Sequence, residues 1–326
     1  MQSSTKTKLT NAQITAITRH AFGEDAGVQK ITELTDGYFN TAYKVELRAG
    51  ETAVLKVSPP TEAPVLRYEH NLMTVEVAVL QRIRSLSGVP APKILYCKQG
   101  DNIIENDYFF MEFIDGEPLN KHQKTLSAER SSAISSDLGF IAKKINETRG
   151  AYFGTISRLD GQFTNWRDAF LSMIQDLLAD AADAGVTLPL AYDAIYQMTA
   201  AQRQALDAVV FPALVHKDLW AGNVFIDPEA TQITGIVDFE RAIYGDALLE
   251  PVCGFLLENE AFMNAYLGRT TLTPTETIRV TLYKIYLFLI MVIECSYRNY
   301  SDDGQEKWAR QQLDKSLEIL AGFNAG

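Results

Sequence analysis

Apolar residues change their period once along this chain, near Asp115 to Leu119, and that change restricts the fold more than any other feature. Before it, "TAYKVEL" alternates as a half-buried strand does, and "ETAVLKVSPP" is a strand stopped by Pro59 and Pro60. "ITELTDGYFNTAYKVEL" reads as strand, glycine turn, strand, and "DYFFMEFIDGEPL" as an apolar strand broken at Asp115-Gly116. A short amphipathic helix over Asn11 to Ala21 and a long helix from about Arg67 to Leu86 complete this part. The prolines of "SGVPAPKIL" end the second helix and lead into another extended segment. After "GEPL", residues 127–148, 165–184, 196–209, 247–268 and 274–323 follow helical periodicity. "LVHKDLWAGN" and "ITGIVDFERAIYGD" are the main non-helical islands. The expected fold class is α+β: a small strand-rich lobe over 1–114 and a larger, mainly helical lobe over 115–326, hinged near 111–119.

Bulk properties agree with two lobes and narrow the partners. At 326 residues the chain exceeds one ordinary core. A formal charge of −11 argues against nucleic acid, whose backbone selects basic faces, and tolerates a cationic small molecule. Cys97, Cys253 and Cys295 lie far apart with no CxxC pair, which gives no zinc site and fits a reducing cytoplasm. "MQSSTKTKLTNAQ" lacks the apolar core of a signal peptide. The longest apolar run, Ile285 to Ile293, is too short to span a bilayer, so no membrane partner is expected. Nothing in the sequence sets the oligomeric state.

The chemistry concentrates in the two islands. Asp218, Asn223 and Asp238 are hard oxygen ligands or bases on two turns flanked by strands. Magnesium prefers a few such oxygens together with substrate phosphates, because it keeps octahedral geometry and much of its water. Phosphoryl transfer needs one carboxylate to accept the proton of the attacking hydroxyl, and another carboxylate with an amide to hold the metals on the nucleotide phosphates. Any one of these residues alone suits an ordinary Asx turn; the set at this spacing does not. The phosphates also require a held positive charge. "AVLKV" supplies Lys56, whose alternative is an edge-strand gatekeeper. "VEVAVLQRI" supplies Glu76 as its partner, preferred over Glu69 because Glu76 begins the Glu-x3-Leu-x2-Ile stretch whose apolar members face the core.

With these residues in place the chain resembles the aminoglycoside phosphotransferase and choline kinase group, small-molecule kinases with a protein-kinase-like fold. The resemblance runs from "TDGYFNTAYKV" through "VLKV", "FFMEFIDGEPL" and "LVHKDLWAGNVFID" to "IVDFERAIYGD". It implies a bilobal architecture, with a small antiparallel-sheet nucleotide lobe and a helical lobe carrying the catalytic loop and acceptor pocket. It implies ATP and Mg2+, with Asp218 as catalytic base and Asn223 and Asp238 on magnesium. Lys56 would contact the phosphates and pair with Glu76, and Met111 would back the adenine pocket. The backbone of Glu112 and Ile114 would bond the adenine edge. His216 is expected to brace the loop. Asn40, beside the single glycine Gly37 of the phosphate hairpin, is either a positioning residue or a plain turn residue.

The departures are specific. Lys217 stands where the family often has glycine, and Trp220-Ala221 where it often has His-Pro. "DLWAGN" is closer to fructosamine and ketosamine kinases, but those usually read Asp-Pro where this chain has Asp238-Phe239. Glu250 in "GDALLEP" replaces an aspartate, which puts a structural brace in doubt. The expected activity is ATP-dependent phosphorylation of a hydroxyl on a small polar acceptor, amine-bearing or aminoglycoside-like given the net negative charge. Glu258, Glu260 and Glu294, with Phe255, Tyr266 and Tyr297, are available to such a pocket. Two alternatives stay open: a ketosamine-type kinase, and a catalytically silent nucleotide-binding regulator. A protein kinase is disfavoured, because no Ala-Pro-Glu segment follows Asp238 and no room is left for an activation loop.

Overall fold

The computed structural model describes residues 6–35, 37, 39–298 and 303–324. Helix α1 (Asn11–Phe22) starts with a capping box in which Thr10 and Gln13 satisfy each other's backbone N–H groups. Five strands follow: β1 (Val28–Leu34), β2 (Thr41–Leu47), β3 (Thr52–Val57), β4 (Ile94–Lys98) and β5 (Tyr108–Glu112). They form one antiparallel sheet in the order β1-β2-β3-β5-β4. Central strand β3 is covered on both faces. Ala53, Leu55 and Val57 pack with Ile14 and Ile17 of α1, while Val54 packs with Met73, Phe109 and Met111. Because side chains alternate, Lys56 shares the face of Val54, toward helix α2 (Leu72–Ile83).

That helix is shorter than the apolar pattern predicts. Arg67–Glu69 is a separate 3-10 turn, and Asn71, with φ of 61°, interrupts the right-handed path. The interruption puts Glu69 outside the helix that carries Glu76.

The rest of the chain is mainly helical. β6 (Glu117–Pro118) leads to α3 (Ala128–Asn146), β7 (Phe153–Thr155), β8 (Gln162–Phe163), α4 (Trp166–Asp183), α5 (Tyr192–Ala200) and α6 (Arg203–Asp207). Then come β9 (Ala213–Val215), β10 (Val224–Ile226), β11 (Ile233–Ile236) and β12 (Ile243–Gly245). The chain continues with α7 (Leu249–Cys253), α8 (Glu260–Leu267), α9 (Pro274–Arg298) and α10 (Gly304–Asn324). Several predicted helices are therefore split. Between α7 and α8 the reason is visible: Phe255 has φ of 56°, which no right-handed helix passes. β7 and β8 leave no periodic trace because they are three and two residues long.

Two small sheets, β11-β10-β6 and β8-β7-β12-β9, frame the loop between β9 and β10. Beneath them lies the main core, where Trp166, Phe170, Tyr283 and Tyr286 meet. Polar groups inside it are paired: Trp166 Nε1 donates to the Tyr283 hydroxyl (2.8 Å), which donates to Asp246 Oδ2 (2.6 Å), and Arg279 Nε donates to the same oxygen (2.8 Å). Asp246→Ala should therefore destabilise the protein by about 3–5 kcal/mol, since it strands a buried guanidinium. The measurement is a shift of the urea midpoint at unchanged slope.

Candidate active site

Lys56 is the meeting point of the two halves. Its Nζ donates to both carboxylate oxygens of Glu76 (2.7 and 2.8 Å) and to Asp238 Oδ1 (2.7 Å). The edge-gatekeeper alternative fails because β3 is central. Burial alone would lower the Lys56 pKa, but Asp238, Glu76 and Glu240 outweigh it and hold the lysine charged. Glu69 is committed elsewhere, accepting from the Leu66 N–H (3.0 Å) and from Arg298 Nη2 (2.5 Å).

The loop from His216 to Asn223 follows β9 and is braced from both sides. Both nitrogens of the buried His216 ring are engaged: Nε2 donates to the Val237 carbonyl (2.9 Å) and Nδ1 accepts from the Asp218 N–H (3.2 Å). Burial pulls its pKa down to about 4, so the ring is neutral and serves the loop rather than proton transfer. Glu250 accepts from the His216 N–H (2.8 Å) and the Lys217 N–H (3.1 Å). A glutamate thus holds the place where an aspartate was expected. Asn223 Nδ2 donates to the Asp218 carbonyl (2.9 Å) and to Asp218 Oδ2 (3.2 Å). Burial pushes the Asp218 carboxyl up to about 7, with Arg241 opposing and Asp238 and Glu294 adding to the rise. That value suits a base working near neutrality. Lys217 and Asp238 both lie in the left-handed region, with φ of 66° and 72°.

Glu240 is the residue that sequence reasoning missed. It is buried, and with Glu76 and Asp238 it forms a carboxylate cluster whose ligand atoms lie within 4.8 Å of one another. Both Glu76 oxygens are bonded to Lys56, which leaves Asp238 and Glu240 as the hard-oxygen pair of this cluster suited to magnesium. Asn40, immediately before β2, donates from Nδ2 to Glu240, so it positions the β1–β2 connection and is no plain turn residue. The one signal for Glu240 was its place two residues after Asp238. Asn40 Oδ1 and Thr41 Oγ1 are buried and have no partner among the described residues, which fits a hairpin built to meet phosphate.

The adenine-side candidates fall at the end of β5. Met111 is buried with Val54 and Met73 and close to the half-buried Leu34, Ala42 and Ile94. Exposed Glu112 pairs with Ala53, and the half-buried Ile114 packs so tightly on Gly235 that a Cβ there would sit 2.2 Å from Ile114 Cδ1. The acceptor-side candidates scatter. Glu258 and Glu260 are exposed, Phe255 lies 6.0 Å from the ring of Trp308, and the Tyr266 hydroxyl donates to Asn146 and the Ala247 carbonyl. Tyr297 donates to the Asp180 carbonyl (3.3 Å). Of that group Glu294 reaches the site, pairing with Arg241 at 3.3 Å.

Glu250→Ala should remove the acceptor of two buried backbone donors and cost about 2–4 kcal/mol. Turnover should fall along with stability, because the loop carrying Asp218 loses its brace. Thermal melts and initial rates below the melting transition check both parts.

The model of the phosphotransferase enzyme family (APH) matches residues 30–270. Among solved structures, one from Thermobifida fusca described as a "putative fructosamine-3-kinase" superposes with TM-score 0.68 at 19% identity, covering 94% of this chain and 98% of that one. Aminoglycoside phosphotransferase APH(4)-Ia superposes with TM-score 0.67 at 17% identity, covering 95% and 99%. A ternary complex of that enzyme with ADP and hygromycin B superposes with TM-score 0.65 at 18% identity, covering 94% and 98%. The subtelomeric hrmA-associated cluster protein of Aspergillus fumigatus is 23% identical over 127 residues, 39% of this chain and 24% of that protein. The chain spans about a quarter of the length of the curated relatives it matches. The solved neighbours share its bilobal α+β fold, and the matched span takes in Lys56, Glu76, Asp218, Asn223 and Asp238: the chain belongs to the phosphotransferase enzyme family.

Proposed function

We propose that the protein transfers the γ-phosphoryl group of ATP to a hydroxyl of a small polar acceptor. The observation that carries this is Lys56 held between Glu76 and Asp238, with Asp218 and Asn223 on the neighbouring loop. In this reading residues 1–114 bind the nucleotide and 115–326 carry the catalytic loop and acceptor pocket, hinged at 111–119. Met111 backs the adenine, and the Glu112 carbonyl and Ile114 N–H meet its edge. Lys56 contacts the phosphates. Asp218 accepts the proton of the acceptor hydroxyl as its oxygen bonds to the γ-phosphorus and ADP leaves. Asn223 and Asp238, with Glu240, would hold Mg2+, which would neutralise developing charge on the nucleotide phosphates. The complete set argues against a silent regulator. The ketosamine-type reading keeps its support in "DLWAGN" and in the fold of the Thermobifida neighbour. No helix among the described residues is long and apolar enough to cross a membrane, and the free cysteines Cys97, Cys253 and Cys295 suit a cytoplasmic enzyme.

A coupled ADP-release screen over amines, amino alcohols, sugars and hydroxy acids tests the activity. Asp218→Asn should leave nucleotide affinity within a few-fold and remove most turnover, since the base acts on the acceptor. Asp238→Ala should weaken magnesium-dependent nucleotide binding as well. Near-wild-type turnover by Asp218→Asn would remove the base assignment.

Lys56→Ala should raise the nucleotide KM and lower kcat together, and Glu76→Ala should do the same more weakly. The two effects should not add, because both residues serve one interaction. A double-mutant cycle on nucleotide affinity decides it; additive losses would sink the pairing.

A further inference from the structure

The acidic groups beside Asp218 are already matched to arginines. Glu69 Oε1 accepts from Arg298 Nη2 (2.5 Å), and Glu294 Oε1 lies 3.3 Å from Arg241 Nη2 and 3.5 Å from Arg298 Nε. An amine acceptor would have to break one of these pairs to gain Glu69 or Glu294. A third cation, Lys217, sits in the same cluster with neutral partners. Its ammonium donates to the Tyr286 hydroxyl (3.2 Å) and lies 4.7 Å from the Tyr68 ring centre and 5.5 Å from that of Tyr286. The Arg241 guanidinium lies 5.8 Å from the same Tyr68 ring. Arg298 stacks 5.0 Å from the ring of Phe39 in the phosphate hairpin, and its buried Nη1 has no partner among the described residues.

Lys217 carries two separate strains at the residue preceding the base. Its φ of 66° belongs to the region glycine enters freely and lysine does not. The residue is 6% exposed, with no carboxylate paired to it among the described residues, and burial pulls its pKa down to about 8. A glycine would relieve both. Strain held at a site, with buried donors left over, points to a ligand that supplies acceptors.

We propose that Lys217, with Arg241 and Arg298, forms an oxyanion subsite that holds a carboxylate or phosphate ester group of the acceptor while its hydroxyl faces Asp218. This deepens the phosphotransferase reading and rests on it for the reaction. An oxyanion would give Lys217 a charged partner and Arg298 Nη1 an acceptor, both as charge-assisted hydrogen bonds. The acceptor class is then a hydroxy acid or a phosphorylated alcohol.

The test is saturation-transfer NMR at constant ionic strength with MgAMP-PNP present. Malonate and glycerol 2-phosphate are titrated as anions, glycerol as the neutral control and ethanolamine as the cation. At least one anion should bind wild-type protein saturably, and the two arms tell carboxylate from phosphate. Lys217→Gly should weaken that binding roughly tenfold or more, the loss expected for a hydrogen bond to a charged group, while Lys217→Arg retains most of it. Lys217→Gly should melt at or above the wild-type temperature; if it does not fold, Lys217→Met carries the same readout. Absence of saturable anion binding, equal binding by wild type and variant, or preference for ethanolamine overturns the subsite. Loss of AMP-PNP binding with anion binding intact would count against the phosphotransferase reading alone.

Discussion

A single buried cation organises this molecule. Lys56 lies on the central strand of one sheet, and its ammonium is bonded to Glu76 on the helix behind it and to Asp238 at the end of β11. In a low-dielectric interior neither the lysine nor the carboxylates tolerate separation, because each would be left as an uncompensated charge. The three residues therefore fix α2 against the sheet and the sheet against the catalytic strand. Asn40 and Glu240 repeat the link a few ångströms away, so the hairpin that would cover phosphate is tied to the residues that would hold metal.

The loop from His216 to Asn223 is held by a different device. Its backbone passes through a left-handed conformation at Lys217, as does the neighbouring turn after β11 at Asp238, a conformation that residues other than glycine resist. Such a path persists only if its surroundings over-determine it. Glu250 takes two backbone N–H groups at one end, His216 spans the loop to Val237, and Asn223 closes it back onto Asp218. Below lies the Trp166–Tyr283–Asp246–Arg279 network, whose polar atoms satisfy one another within the core. The loop is irregular because its scaffold is rigid.

The net charge of the chain and the charges around Asp218 are different quantities. The chain carries −11 overall, yet around Asp218 the glutamates are neutralised by arginines and a lysine remains. A whole-chain sum weights exposed residues such as Glu258 and Glu260 equally with Glu294, whereas a pocket responds to the few charges that share its low dielectric. In the proposed subsite, recognition would be set by pairing within the cluster.

What the sequence determined by itself is local. His216, Asp218 and Asn223 span eight residues of one loop, so their spacing already encodes their geometry, and strand alternation put Lys56 on one face before any sheet was known. The switch from period two to helical period announced both halves for the same reason. Tertiary structure alone decided the rest. Arg298 reaches Glu69 across 229 positions, and Asn40 reaches Glu240 across 200. No periodicity records such pairs, because they form only once helices have docked. Glu69 left the helix expected to carry it because Asn71 turned left-handed, and the short strands β7 and β8 exist because β12 lies beside β7 and β7 beside β8. Periodicity is a property of neighbours in the chain; charge pairing in a buried site belongs to neighbours in space.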